Sequence, residues 1–168
     1  AIALALAASP YFFVEDHTLV RALVEPVAAS SSGATPARVV ARDVVPLPGL
    51  VVGHAQRAGE DVAVVCPRTL VRTDAAQGCD VFFVDARGAA HALGLQGFSA
   101  ELLPGNAAVL VWTANLELLE LTLATGVTRP LAASVLEPHL AADGRTVAFA
   151  RAPGLTRLVP GFVACPFW

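Results

Sequence analysis

Residues 78–101, GCDVFFVDARGAAHALGLQGFSAE, limit the possible folds more than any other stretch of the chain. Val81, Phe82, Phe83 and Val84 are β-branched or aromatic, so they favour a pleated strand over a helix. Asp85 to Gly88 follows as a turn, because aspartate bonds its own backbone and glycine tolerates positive φ. A second strand is expected from Ala89 to Leu95, and Ser99, Ala100 and Glu101 begin another turn. The stretch therefore reads as a β-hairpin.

Short extended runs continue on both sides. Tyr11 to Val14, Arg38 to Val45, Leu50 to His54, Asp61 to Cys66 and Ala107 to Thr113 each read as a strand, and Arg68 to Arg72 alternates loosely. Turn residues separate them, chiefly Pro46 to Gly49, Pro67 and Pro104 to Asn106. One exception stands near the start: Leu19, Leu23 and Val27 recur at helical spacing behind Asp16 as an N-cap, which predicts a short helix over 17–27. Residues 28–36, AASSSGATP, have the composition of a linker. The expected organisation is thus a strand–helix segment with a serine-rich linker over 1–36, a β-barrel over 37–115, and a C-terminal extension over 116–168 packed on the barrel.

Composition permits a folded core. The chain has 168 residues, 55% of them hydrophobic, and no stretch reaches the roughly 18 apolar residues needed to cross a bilayer as a helix, so no membrane is expected as a partner. The opening AIALALAASP resembles the apolar part of a secretory signal but lacks basic residues before it, and it reads better as a buried strand or helix. All the basic residues are arginines and methionine is absent, as biased coding in a GC-rich genome produces. The net charge of −3 is unevenly spread: residues 38–72 and the tail after Gly144 are net positive, whereas 73–144 are acidic. This excludes a strongly basic nucleic-acid binder but leaves room for a local phosphate-contacting surface.

Cys66, Cys79 and Cys165 are odd in number and lack paired metal-ligand spacing, and none of His17, His54, His91 and His139 clusters with them in sequence. Buried, reduced thiols are expected, together with an intracellular, cytoplasmic location. No metal or cofactor is implied. No nucleophile elbow, P-loop or dinucleotide fingerprint is present either, so the chain reads as non-catalytic.

The order of features from Gly59 to Val111 resembles the PUA domain, a small pseudo-barrel carried by pseudouridine synthases, archaeosine transglycosylases, some RNA methyltransferases and certain translation factors. Gly59, Glu60, Asp61 and Val62 match the family's opening; Gly78, Val81, Val84, Asp85 and Gly88 fall in its hairpin. Ala92 to Gly94, Ser99 to Glu101 and Gly105 to Val111 complete the order. Cys79 departs from the pattern by standing where the family has an acid, and Pro67–Arg68 replaces a Pro–Gly pair. The resemblance implies a mainly β (α+β) fold, a PUA-like pseudo-barrel with a short N-terminal helix. A generic β-sandwich or jelly roll is the alternative.

The same resemblance implies binding of structured RNA, a tRNA or rRNA, in modification or translation. Such shape-based recognition needs phosphate and 2′-hydroxyl contacts, for which arginines beside close-approach glycines are suited. Arg57, Gly59, Arg68, Arg72 and Arg87 are the candidate RNA-contacting residues. Residues 144–154 faintly resemble the strand and turn of RNA cytosine methyltransferases: Ala152, Pro153 and Gly154 fit, but Ala148 stands where the acid belongs. A structural strand and turn is the reading there, and any parent enzyme would be an RNA-modifying one such as a methyltransferase. The competing function is a structural or assembly subunit, for example of a virion or large complex, that buries apolar surface against a protein partner. A mean hydropathy of +0.63 supports it.

Overall fold

The computed structural model describes residues 8–27, 37–68 and 78–155, and those residues are all-β with no helix. The twelve strands are β1 (Ser9–Glu15), β2 (Thr18–Pro26), β3 (Ala37–Val44), β4 (Leu50–Arg57), β5 (Glu60–Cys66), β6 (Cys79–Val84), β7 (Ala90–Leu102), β8 (Ala108–Thr113), β9 (Leu118–Thr122), β10 (Thr128–Ala132), β11 (Val135–Leu140) and β12 (Val147–Arg151). They form an antiparallel sheet β1-β2-β3, a seven-stranded meander β10-β9-β8-β7-β6-β5-β4, and the hairpin β11-β12.

The expected helix over 17–27 is a strand. Asp16 and His17 both have positive φ, at 47° and 58°. They form the tight two-residue turn that suits a hairpin's twist, rather than a helix cap. β2 then pairs with β1 on one side and β3 on the other. Leu19, at helical spacing from Leu23 in sequence, also fits a strand of period 2, and pairing on both sides decides between the two. The 28–36 linker, the opening residues 1–7 and the alternating run 69–72 lie outside the described residues.

The hairpin from Cys79 onward forms as expected, with Gly88 at φ 87° and the Asp85 carboxylate accepting from the amides of Arg87 and Ala89. No turn begins at Ser99, however. β7 continues to Leu102 because Ala100 and Leu102 face a core that rewards extension, beside Val62, Val64, Val81, Val109 and Val111. β5 is buried at every residue except Glu60, as its near-continuous apolar run requires of a central strand.

The meander does not close into a barrel. Closure needs the two edges to pair, and β4 and β10 stand at opposite ends of the order with no ladder between them. Instead the sheet coils until β4 lies over β7, where Nε of Arg57 donates to the carbonyl of Leu102 at 3.0 Å. β3 pairs with β2 rather than β4, and β8 pairs with β9.

Two further cores hold the small sheets. Phe12, Leu19, Val45, Val51, Ala63, Val65 and Val84 join β1-β2-β3 to the inner strands, while Leu110, Leu118 and Val135 sit under β11-β12. Polar stitches fix the first of these contacts. The amide of Phe12 donates to Gln56 Oε1 at 2.8 Å, and Arg21 Nε donates to the carbonyl of Ala86 at 2.8 Å.

Cys66 and Cys79 are joined by a disulfide, so neither is the reduced thiol the sequence suggested. They stand one step beyond the Val65–Asp80 pair, on adjacent antiparallel strands with Cα atoms 4.7 Å apart. They stand 13 positions apart in sequence, which hides a pairing that the strand register creates. Gly49 packs against this point: a Cβ there would overlap the carbonyl oxygen of Cys66. Cys165 lies outside the described residues.

Candidate interaction surface

Of the five residues expected to contact RNA, the four that are described, Arg57, Gly59, Arg68 and Arg87, are not gathered into one groove. Arg57 and Gly59 belong to the β4-β5 turn region and Arg87 to the β6-β7 turn, which share one end of the sheet because Asp61 pairs with Val84. Arg68 follows the other end of β5, about 20 Å away along a seven-residue strand. Arg72 lies outside the described residues. Arg57 is spent internally on Leu102, and its own carbonyl accepts from Nδ2 of Asn106 at 2.8 Å. Gly59, at φ 82°, packs against the ring of Pro10. Arg87 and Arg68 are exposed.

Two clusters of ionisable side chains lie outside that set. Asp61 is fully buried, with one carboxylate oxygen 2.8 Å from Nδ1 of His54 and the other without a hydrogen-bond partner. Burial pushes the Asp61 carboxyl up, against the hydrogen bond from His54, while that same bond raises the His54 imidazole. Burial likewise raises Glu101, opposed by the nearby charges of Arg57 and His139. Ser99, Glu101, Leu110, Trp112, Leu118, Pro138 and Leu140 line a cavity of about 10 Å³, at the lower limit for a single water. Among the described residues no three histidine, cysteine, aspartate or glutamate side chains are placed to hold a metal ion together.

A further surface feature among the described residues is the outer side of the N-terminal sheet. Cross-strand pairing puts Tyr11, Ala22 and Arg42 in one row and Phe13, Val20 and Val44 in the next, all on one face. Val24 and Val39 extend it. Tyr11 and Phe13 stack with ring centroids 6.4 Å apart, and Arg42 lies over the Phe13 ring while pairing with Glu15. Tyr11 is 50% exposed, Val39 58% and Val44 65%, whereas Val20 and Ala22 on the central strand are buried, so the face is apolar and exposed chiefly along β3 and at Tyr11.

β3 forms the outer edge of that sheet, and every residue in it except Ala41 is exposed. Among the described residues no strand pairs with its free side. The edges of the meander are better protected: β10 carries Pro130 and a register shift, and β4 is overlaid by β1 through the Phe12–Gln56 bond. β3 has eight residues and no proline. Sequence reasoning found the strand but assigned it to a barrel wall. The signal for an edge was its charge: Arg38, Arg42 and Asp43 fall within eight residues, whereas a central strand such as β5 is charged only at Glu60 and Asp61.

No protein-family model matches the sequence, and no curated protein matches it. The functional reading therefore rests on the residues themselves.

Proposed function

We propose that the chain is a structural assembly subunit that associates through the outer face and free edge of β1-β2-β3. The observation carrying this reading is β3 itself, an eight-residue edge strand that among the described residues pairs only with β2 and bears exposed Val39, Val40 and Val44. Free backbone N–H and C=O groups on such an edge supply the hydrogen bonds of strand addition, and the apolar side chains supply the buried area. The Cys66–Cys79 disulfide favours an oxidising compartment over the reducing cytoplasm.

Binding of structured RNA is the competing proposal. It draws support from exposed Arg68 and Arg87, but Arg57 and Gly59 are occupied within the fold. One pair of measurements separates the two. Sedimentation velocity across a concentration series should show association of the full chain that is lost in the Val39→Lys/Val44→Lys variant. Filter binding with tRNA at low and high salt should show no retention. Salt-sensitive tRNA binding by a chain that stays monomeric would replace the assembly reading with the RNA one.

A further inference from the structure

We infer that the occupant of the β3 edge is a second copy of the same chain, joined by two-fold antiparallel pairing of β3 with β3 so that Arg38 of each copy faces Asp43 of the other. The inference rests on the assembly reading and names its partner.

The register follows from a bulge. Leu23 pairs with Ala41 and Val24 with Val39, which leaves Val40 as an extra residue in β3. In an unbroken strand, residues 38 and 43 are an odd number apart and point to opposite faces. Here Arg38 pairs with Glu25 and Asp43 with Arg21, and those two partners are four apart on a bulge-free strand. The extra residue thus brings Arg38 and Asp43 onto one face with the same backbone orientation. That is the condition for two residues to stand opposite each other across an antiparallel ladder.

A two-fold axis through the middle of β3 uses this equivalence twice. Arg38 meets Asp43 of the other copy, Val39 meets Arg42, Ala37 meets Val44, and Val40 meets Ala41. The interface is self-complementary in charge, as an isologous contact demands. Each ion pair also extends one already present within the sheet, since Arg38 lies 3.4 Å from Glu25 and Asp43 lies 3.4 Å from Arg21. The product is a six-stranded sheet, β1-β2-β3-β3-β2-β1, whose outer face joins the Tyr11, Phe13, Val39 and Val44 surfaces of both copies.

Charges on an edge strand also serve to repel unwanted strands. The two roles separate in a charge-reversal experiment. Arg38→Asp faces an acid with an acid, and Asp43→Arg faces a base with a base, so each variant alone should lose dimerisation in sedimentation equilibrium. Mixed in equal amounts, the two variants restore both opposite-charge pairs, and the mixture should recover a dimer that neither forms alone. Near-UV circular dichroism verifies that each variant is folded. Where a reversal unfolds the chain, Arg38→Gln and Asp43→Asn remove the charge without reversing it, and each should weaken the dimer at least tenfold.

A mixture that stays monomeric overturns the inference, as do charge variants that dimerise as well as the original chain. If association survives the charge variants but is lost in Val39→Lys/Val44→Lys, this register is wrong while the assembly reading stands. An original chain that is monomeric at every concentration removes both.

Discussion

Nδ1 of His54 lies 2.8 Å from Oδ2 of Asp61, a carboxylate with no exposed surface whose other oxygen has no partner. The imidazole keeps 28% of its side-chain surface in water, so it connects a buried charge to solvent. His54→Ala strands that charge and should destabilise the fold by about 2 kcal/mol, less than for a fully buried pair because His54 is already partly hydrated. For a chain of this size that is a fall of roughly 4–8 °C in Tm. Asp61→Asn in the same background removes the stranded charge and should recover part of the loss. Calorimetry checks both, and an unchanged Tm for His54→Ala would contradict the account.

The same pair sets a pH dependence. The folded-state pKa of His54 is raised above its ordinary 6.5, chiefly by the hydrogen bond to Asp61, so the folded chain holds that proton more tightly than the unfolded chain. The stability this contributes is complete below about pH 6.5 and is lost as pH rises through the raised value. Urea midpoints should therefore decline from pH 6 to pH 8 in the original chain, and the decline should be absent in His54→Gln. The raised Asp61 carboxyl acts in the same direction at lower pH, above its ordinary 3.8.

The Cys66–Cys79 disulfide closes a loop of sequence separation 13, which by chain-entropy reasoning contributes about 3 kcal/mol. Reduction, or the Cys66→Ser/Cys79→Ser variant, should lower the urea midpoint accordingly. Alkylation of the unreduced, denatured chain should leave Cys66 and Cys79 unlabelled. Labelling of both would contradict the pairing.

How much of this fold could be read from the sequence depended on local chemistry. The Asp85–Gly88 hairpin and the apolar run of β5 declare themselves, because turn residues and β-branched side chains act within a few positions. The Leu19, Leu23 and Val27 pattern misled, since it satisfies a helix as well as a strand and only pairing with β1 and β3 distinguishes them. Cys66 and Cys79 meet through strand register, and His54 reaches Asp61 only because the two flank one tight turn. The edge position of β3 was the least visible. An edge is defined by the strand that is missing beside it, and only the density of charge in Arg38, Arg42 and Asp43 hinted at it.

The assembly account turns on whether the free side of β3 becomes hydrogen-bonded when copies meet, and amide hydrogen exchange read peptide by peptide at low and high protein concentration measures this directly. The account predicts that protection over residues 37–44 rises with concentration, while the proline-bearing edge β10 exchanges at the same rate throughout. Exchange over 37–44 that is independent of concentration would contradict it.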